Sequence, residues 1–277
     1  MVITRLTRNQ FVVFMRHMGS NPIISVGYTS DCRRKDWNMY SFNSMIRYSE
    51  TDKNEKLSVT GLVNYFQDCS SFQSETLHIG AQELAEAHSG WVLSSWQIVI
   101  KRMPQILDCV KVSTWAYDFE KFFGNRNFTL TDKDGEVIAC ANSLWVFINT
   151  QTGHPVLPES RFKDAYILEN KYEDMNYEGR KIFAPEDMKK RESFHVRKCN
   201  LDTFNHVNNV QYIQMAEEYL PEGFKVGQIR AEYKMSAVYG DIICPYVQTR
   251  EDDRFVVNLQ NEAGRTFALI EFAKAGF

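Results

Sequence analysis

Hydrophobic and polar positions repeat one order of elements twice along the chain. In the first half, a short alternating run predicts a strand at 42–48, and apolar side chains at helical spacing predict a helix over 58–76. Runs rich in β-branched and aromatic residues then predict four antiparallel strands, at 91–101, 109–118, 126–132 and 136–149. The second half gives the same order: a strand at 194–199, a helix at 205–220, and strands at 225–235, 241–250, 254–260 and 265–274.

Matching residues support a duplicated domain. The segment 130–139 matches 259–268 in the spacing of Leu, Gly and Ala, and 63–67 matches 210–214 through a shared Tyr-x-Gln. A helix followed by an antiparallel sheet that must bury it predicts an α+β fold of the hot-dog type, although composition alone allows other α+β folds.

We expect three regions. They are a poorly ordered N-terminal extension at 1–38, a first hot-dog domain at 39–165 and a second hot-dog domain at 166–277. The connection between Thr150 and Arg191 contains several prolines and charged residues and is predicted to be loop-like.

One stretch, residues 200–209, concentrates side chains that can carry chemistry. Asp202, Asn205 and His206 lie here, where the predicted loop becomes a helix. The first N–H groups of a helix have no internal partner and its dipole is positive there, so this position stabilises an oxyanion and disfavours an imidazolium. His206 is therefore a candidate base, and Asp202 is a candidate to orient it or to polarise water. The alternative is that Asp202 or Asn205 only caps the helix.

The first half offers no such group at its helix entrance. Aligning the two Tyr-x-Gln segments puts Val59 at the position of His206. We therefore expect the second half to supply the chemistry and the first half to supply a hydrophobic tunnel. The candidate lining residues, which a plain core helix would also present, are Leu62, Tyr65, Phe66 and Cys69.

Composition and charge exclude several classes of protein. With 44% hydrophobic and 24% charged residues in 277, the chain is not disordered or collagen-like, and a formal net charge of -3 argues against nucleic-acid binding through phosphate neutralisation. The sequence has no Gly-rich phosphate loop, G-x-S-x-G elbow or metal-binding His cluster, and its six cysteines form no C-x-x-C pair. We expect no cofactor, no metal and reduced cysteines, as is typical of a cytoplasmic protein.

The N-terminal segment 1–38 is basic, with six basic and two acidic side chains. Its apolar run at 11–14 is too short for the core of a signal peptide, and no run in the chain approaches the ~20 residues of a membrane span. We expect an extension outside the folded domains and no integral membrane segment. An organelle transit peptide is the alternative.

Several motifs together resemble one family. They are D-x-x-x-H-V-N-N at 202–209, N-Y-F-Q-D at 64–68, W-V-L at 91–93 with Trp96, and A-N-S-x-W-V at 141–146. Through them the chain, from about Tyr40 to Phe272, is similar to the acyl-acyl-carrier-protein thioesterases, especially the bacterial members. The resemblance implies two tandem hot-dog domains that hydrolyse fatty acyl-acyl carrier protein to free fatty acid and acyl carrier protein, which terminates fatty acid synthesis. It also implies a cytoplasmic location in bacteria or a plastid location in plants.

The sequence departs from the family's active-site pattern, Asp-x-Asn-x-His followed by a later Glu or Gln before Cys or Ala. Asp202 and His206 match, but Phe204 stands where the family has Asn, and Asn205 comes one position later. Residues 236–237 are Ser-Ala, which provide neither the acid nor a cysteine nucleophile. The resemblance then implies that Asp202 and His206 activate water for direct attack on the thioester, with Asn205 as a substitute donor to the oxyanion.

Other functions stay open at this point. A hot-dog thioesterase of acyl-CoA or a hot-dog dehydratase is the second enzyme hypothesis, and Phe204 and Ser236 motivate a third, a non-catalytic acyl-binding protein. Acyl carrier protein is acidic, so its docking surface should be basic, although a charge run is also typical of a solvated face. The candidates are Lys189, Lys190, Arg191, Arg197, Lys198 and Lys234.

Overall fold

The computed structural model describes residues 12–16, 23–27, 39–250 and 252–276. It divides into two units, residues 1–37 and residues 38–277. In the first unit, β1 (Val12–Arg16) pairs antiparallel with β2 (Ile23–Gly27). The rest of the extension expected at 1–38 lies outside the described residues. The expectation that it is poorly ordered, and the alternative of a transit peptide, fall on those residues.

In the second unit, helices and strands follow the predicted order in both halves. The first half contains β3 (Tyr40–Met45), α1 (Val59–Thr76), α2 (Ala81–Glu86), β4 (Ser89–Ile100), β5 (Cys109–Glu120), β6 (Phe123–Thr131) and β7 (Val137–Asn149). The connection carries the short helix α3 (Ser160–Asp164). The second half contains β8 (Lys189–Lys190), β9 (Phe194–His195), α4 (Asn209–Glu217), β10 (Val226–Tyr233), β11 (Ile242–Thr249), β12 (Phe255–Gln260) and β13 (Thr266–Lys274).

One continuous antiparallel sheet joins the two halves. Its strand order is β3-β5-β6-β7-β4-β10-β13-β12-β11-β8, and β9 also pairs with β11. The first half is thus ordered β3-β5-β6-β7-β4, and the second repeats this order as β9-β11-β12-β13-β10, which confirms the predicted duplication. The halves meet where β4 pairs with β10, with Trp96 opposite Ala231.

Helix α1 lies on one face of the sheet through the apolar stripe that the sequence predicts. Ser58 caps its N-terminus by accepting a hydrogen bond from the Gly61 N–H at 3.0 Å. Leu62, Phe66 and Cys69 are fully buried, because their spacing puts them on the side of the helix that faces the sheet. Helix α4 buries a corresponding stripe in the second half. A sheet wrapped around a helix in each half is the hot-dog fold.

Helix α4 and the strand before it differ most from the sequence prediction in the second half. Helix α4 starts after the predicted residue 205, because the Asn208 side chain accepts the Val210 N–H at 3.0 Å and thereby caps the helix. The strand predicted at 194–199 ends at His195, because residues 198–200 form a 3₁₀ turn. The residues between this turn and α4 therefore form a loop.

The connection between the halves crosses the sheet face opposite the helices. Gln97 and Arg230 neighbour the core residues Trp96 and Ala231 along their strands, so their side chains project to that other face. The indole N–H of Trp115, the amide of Gln97 and the guanidinium of Arg230 donate to the carbonyls of residues 170, 176 and 181 at 2.9, 2.8 and 2.8 Å. Among the described residues, no helix combines the length and the apolar character that a membrane span requires.

Candidate active site

The loop that precedes α4 is organised by the carboxylate of Asp202. Its Oδ1 accepts the backbone N–H groups of Phe204 at 2.8 Å and of His206 at 3.2 Å. The turn is closed by the Asn205 N–H, which donates to the Asp202 carbonyl at 3.1 Å. Asn205 has a φ of 60°, in the left-handed region that Asn tolerates better than most residues. The structure therefore brings Asp202, Asn205 and His206 into one turn.

His206 presents its imidazole to solvent. Among the described residues, that imidazole has no hydrogen-bond partner, because the Asp202 carboxylate contacts the backbone of His206. The expectation that His206 lies in the first turn of the helix is corrected, since α4 begins only after Asn208. The Val210 and Gln211 N–H groups are already taken by the side chain and the carbonyl of Asn208, at 3.0 and 2.9 Å.

A second loop, residues 234–241, packs against the His206 loop. The Val207 N–H donates to the Ala237 carbonyl at 2.9 Å, and His206 forms a β-bridge with Val238. The Ala237 N–H in turn donates to the hydroxyl oxygen of the buried Tyr212, at 2.8 Å. The segment with Ser236, where the resemblance expects an acid, therefore adjoins the loop that carries His206. Sequence reasoning missed Tyr212, because its partner is distant in the chain and only the fold brings the two together.

The surface around His206 is apolar and aromatic. Phe204, Val238 and Tyr239 are 67%, 43% and 60% exposed. The ammonium of Lys198 lies 5.6 Å from the centre of the Tyr239 ring, within the range of a cation–π interaction. Exposed apolar side chains are thus carried by the His206 loop and by the loop that bridges it at Val238, and Lys198 contacts one of them. Within the described part of the chain, no group of three or more His, Cys, Asp or Glu side chains is placed to hold a metal ion.

The first half contains the same loop with different side chains. The Oδ1 of Asp52 accepts the N–H groups of Asn54 and Lys56 at 2.8 and 3.1 Å, and Glu55 takes the left-handed position with a φ of 59°. Lys56, not Val59, therefore corresponds to His206, and the expected apolar entrance is wrong. The Tyr-x-Gln match misaligned the halves, because the backbone hydrogen bonds of the loop fix the register.

The four candidate tunnel residues lie together in the core of the first half. Leu62, Tyr65, Phe66 and Cys69 are at most 6% exposed. The Phe66 ring lies 5.4 Å from that of Phe128, and the Tyr65 hydroxyl donates to a carboxylate oxygen of Glu50 at 2.8 Å. Burial raises the pKa of the Cys69 thiol to about 12, so it stays protonated at neutral pH. These side chains are closely packed against one another and against the sheet.

The duplicated sheet, with one long helix in each half and a histidine-bearing loop before α4, defines a protein of two tandem hot-dog domains. Residues 38–162 match the family model described as the acyl-ACP thioesterase N-terminal domain, and residues 183–272 match the acyl-ACP thioesterase C-terminal domain. The chain therefore belongs to the acyl-ACP thioesterase family, whose members are thioester hydrolases.

Individual relatives agree with this assignment. The chain is 24% identical over 247 residues to oleoyl-acyl carrier protein thioesterase 2, chloroplastic, of Arabidopsis thaliana, covering 82% of this chain and 67% of that protein. It is 26% identical over 219 residues to palmitoyl-acyl carrier protein thioesterase, chloroplastic, of Gossypium hirsutum, covering 72% and 52%. The matched region thus spans about half to two thirds of these relatives.

Solved structures show the same fold. An acyl-ACP thioesterase from Bacteroides thetaiotaomicron superposes with a TM-score of 0.77 at 22% identity, covering 85% of this chain and 97% of that one. The 12:0-ACP thioesterase from Umbellularia californica superposes with a TM-score of 0.77 at 18% identity, covering 87% and 98%.

Proposed function

We propose that this protein hydrolyses the thioester of fatty acyl-acyl carrier protein and releases a free fatty acid. The observation that carries the proposal is the exposed imidazole of His206 on a turn built by Asp202, in a chain of the acyl-ACP thioesterase family. The imidazole has no competing hydrogen bond among the described residues, so it is available to a water molecule and a substrate.

In the proposed mechanism His206 is the general base. It takes a proton from water as the water oxygen attacks the thioester carbonyl carbon, which forms a tetrahedral oxyanion. When that intermediate collapses, the carbon–sulfur bond breaks and the imidazolium returns the proton to the departing sulfur. A thiol is a good leaving group, so one base and a donor to the oxyanion are sufficient.

Asp202 and Asn205 support His206 in this mechanism. We propose that Asp202 holds the turn through the N–H groups of Phe204 and His206, and that its negative charge stabilises the imidazolium that forms. We propose that the exposed side-chain amide of Asn205 donates to the oxyanion, because the side chain of the neighbouring Phe204 has no donor.

The test is release of free fatty acid from palmitoyl- and oleoyl-acyl carrier protein by the full chain. His206→Ala should lower kcat by about 10²- to 10⁴-fold without unfolding the protein, because the side chain is exposed. Lys56→Ala, at the matching position of the first half, is the control and should leave kcat unchanged. Full activity in His206→Ala would remove His206 from the mechanism. Wild-type protein that binds acyl carrier protein but releases no acid would overturn the proposed function.

We propose acyl carrier protein, rather than coenzyme A, as the carrier. The proposed docking surface consists of Lys189, Lys190, Arg191, Arg197 and Lys198, all exposed on the half that carries His206, with the exposed Lys234 on the loop that packs against the His206 loop. A basic surface attracts an acidic carrier protein at long range. A higher kcat/KM for palmitoyl-CoA than for the palmitoyl carrier protein would reverse the choice.

We propose that the acyl chain enters the first half among Leu62, Tyr65, Phe66 and Cys69, displacing part of their mutual packing. Phe66→Leu should then shift the released acids towards longer chains, because the substitution removes volume from the site. Phe147→Leu, an equally buried position in another cluster, is the control. Identical chain-length profiles in the wild type and both variants would contradict this location.

We also propose that the functional division lies near residue 165, with an acyl-binding half at 39–165 and a catalytic half at 166–277. The two family matches and the repeated strand order support it.

For location we propose the cytoplasm, where thiols stay reduced, since Cys69, Cys109, Cys140, Cys199 and Cys244 are all free. Fractionation of cells that express the tagged chain tests the location.

A further inference from the structure

A hydrogen bond at the site has no counterpart in the matching loop of the other half. The Ala237 N–H donates to the hydroxyl oxygen of Tyr212 at 2.8 Å. Tyr212 is 1% exposed and lies on α4. Burial raises its pKa to about 12, so the oxygen that accepts this bond belongs to a neutral phenol at any working pH.

The backbone around this bond is the same in both halves. In the second half, the Val207 N–H donates to the Ala237 carbonyl at 2.9 Å and His206 bridges Val238. In the first half, the Leu57 N–H donates to the Pro104 carbonyl at 2.8 Å and Lys56 bridges Gln105. Pro104 therefore corresponds to Ala237.

Both partners of the bond are missing from the first half. Pro104 has no N–H to donate, and the helix caps Ser58 and Asn208 put Leu62, which has no hydroxyl, at the position of Tyr212. The loop closes in the first half without this bond. The bond is thus an addition found in the half with the histidine, and the fold of the loop does not require it.

We propose that Tyr212 is a positioning residue that holds residues 236–238 against His206 through the Ala237 N–H. The proposal rests on the proposed function, because it assigns the bond to the site that His206 forms. By engaging the Ala237 N–H, Tyr212 also turns this donor away from the substrate. An engaged Ala237 N–H agrees with the proposed role of Asn205, on the His206 loop, as the donor to the oxyanion.

Hydrogen exchange tests the bond independently of any activity. In Tyr212→Phe the Ala237 amide should exchange roughly 10-fold faster, the effect of one lost hydrogen bond. Exchange in the matching loop 101–108 should not change. Tyr177→Phe removes a hydroxyl that donates to Asn127 and to a backbone carbonyl on the opposite sheet face, and serves as the control. Unchanged exchange at Ala237 in Tyr212→Phe would overturn the proposal.

Kinetics then separate positioning from plain stabilisation. Tyr212→Phe should lower kcat about 10-fold and leave KM within about 2-fold, because the acyl carrier protein still binds. Adding Ala237→Pro to Tyr212→Phe removes the Ala237 N–H that has lost its acceptor. It copies the first half, where the backbone of the matching loop accepts proline at Pro104. The double variant should regain thermal stability while kcat stays low. Recovery of kcat together with Tm would show a purely structural role and overturn the proposal.

If the wild type releases no fatty acid, the proposed function fails, whereas the exchange measurement still decides whether Tyr212 holds the loop.

Discussion

The Asp202 carboxylate accepts the backbone N–H of His206 at 3.2 Å, and so holds the position of this residue through its main chain. The imidazole is left free of hydrogen bonds to described residues. Asp202 and His206 are thus coupled through the geometry of a turn. This arrangement separates two roles of Asp202, as an acceptor that shapes the loop and as a charge near the imidazole.

Substitutions at Asp202 should separate these roles. Asp202→Asn keeps an Oδ1 acceptor, so we expect unchanged stability and a kcat about 10-fold lower through loss of the charge. Asp202→Ala also removes the acceptor and should lower the free energy of unfolding by about 1 kcal/mol. Denaturant unfolding and kcat check both. Asp52→Asn makes the same change in the first-half loop, and a similar loss of kcat there would contradict the assignment.

Glu217 on α4 should make stability depend on pH. Burial, with Glu218 and Asp52 nearby, raises its pKa from 4.5 to about 6. The folded state therefore binds this proton more tightly than the unfolded state, so stability falls as the pH rises from about 4.5 to 6. Glu217→Gln should raise the free energy of unfolding by about 1 kcal/mol at pH 8, allowing for partial exposure, and leave it unchanged at pH 4. Urea unfolding at both pH values measures this, with the exposed Glu222→Gln as control. An equal gain at both pH values would assign the effect to packing.

Glu271 should be essential to the stability of the second half. It is 1% exposed, and its carboxylate pairs with Arg230 at 2.7 Å, Arg254 at 2.8 Å and Arg250 at 3.2 Å. Glu271→Gln leaves the buried guanidinium of Arg230 with less compensating charge, and should lower the free energy of unfolding by about 3 kcal/mol.

The exposed pair of Arg161 and Glu159 provides the control for Glu271. Glu159→Gln should change stability by less than about 0.5 kcal/mol, because solvent screens the pair. Guanidinium unfolding measures both variants, and similar small losses would show that the Glu271 cluster is compensated by other charges.

Charge reversal should locate the carrier surface. Lys189→Glu combined with Lys190→Glu should raise KM for acyl-acyl carrier protein about 10-fold at low salt with kcat within about 2-fold, because a rim charge acts on association. The effect should shrink at 0.5 M salt. Lys111→Glu with Lys133→Glu makes the same change on the first half. A KM that responds equally to both pairs would point to net charge rather than to a surface.

Local signals in the sequence predict most of the helices and strands. The sequence predicts α1 over 58–76, and the helix spans Val59–Thr76, because Ser58 caps it and its apolar stripe has helical spacing. The sequence predicts the start of α4 at Asn205, because Val207 fits the helical spacing of Val210, whereas the residues before Asn209 form a loop closed by side-chain contacts to the backbone. Short-range hydrogen bonds of this kind compete with a helix and leave little trace in periodicity.

The site was predicted only in part, and for a physical reason. Asp202, Asn205 and His206 are neighbours in sequence, so their place in one turn follows from the motif. The contact of Ala237 with Tyr212, and the pairing of β4 with β10, join segments that are distant in the chain. The predicted match of Val59 to His206 was wrong because it compared residues of the two helices. The hydrogen bonds that Asp52 accepts in its loop show instead which residues of the two halves correspond.

Asp52 closes its loop without a histidine beside it, by the same two acceptor contacts that Asp202 makes. An aspartate at this position is therefore used to form the loop in both halves, whether or not a histidine accompanies it. After a gene duplication, one copy can exchange its histidine and still close the loop. A search for further copies of the proposed site should therefore look for the histidine rather than for the aspartate.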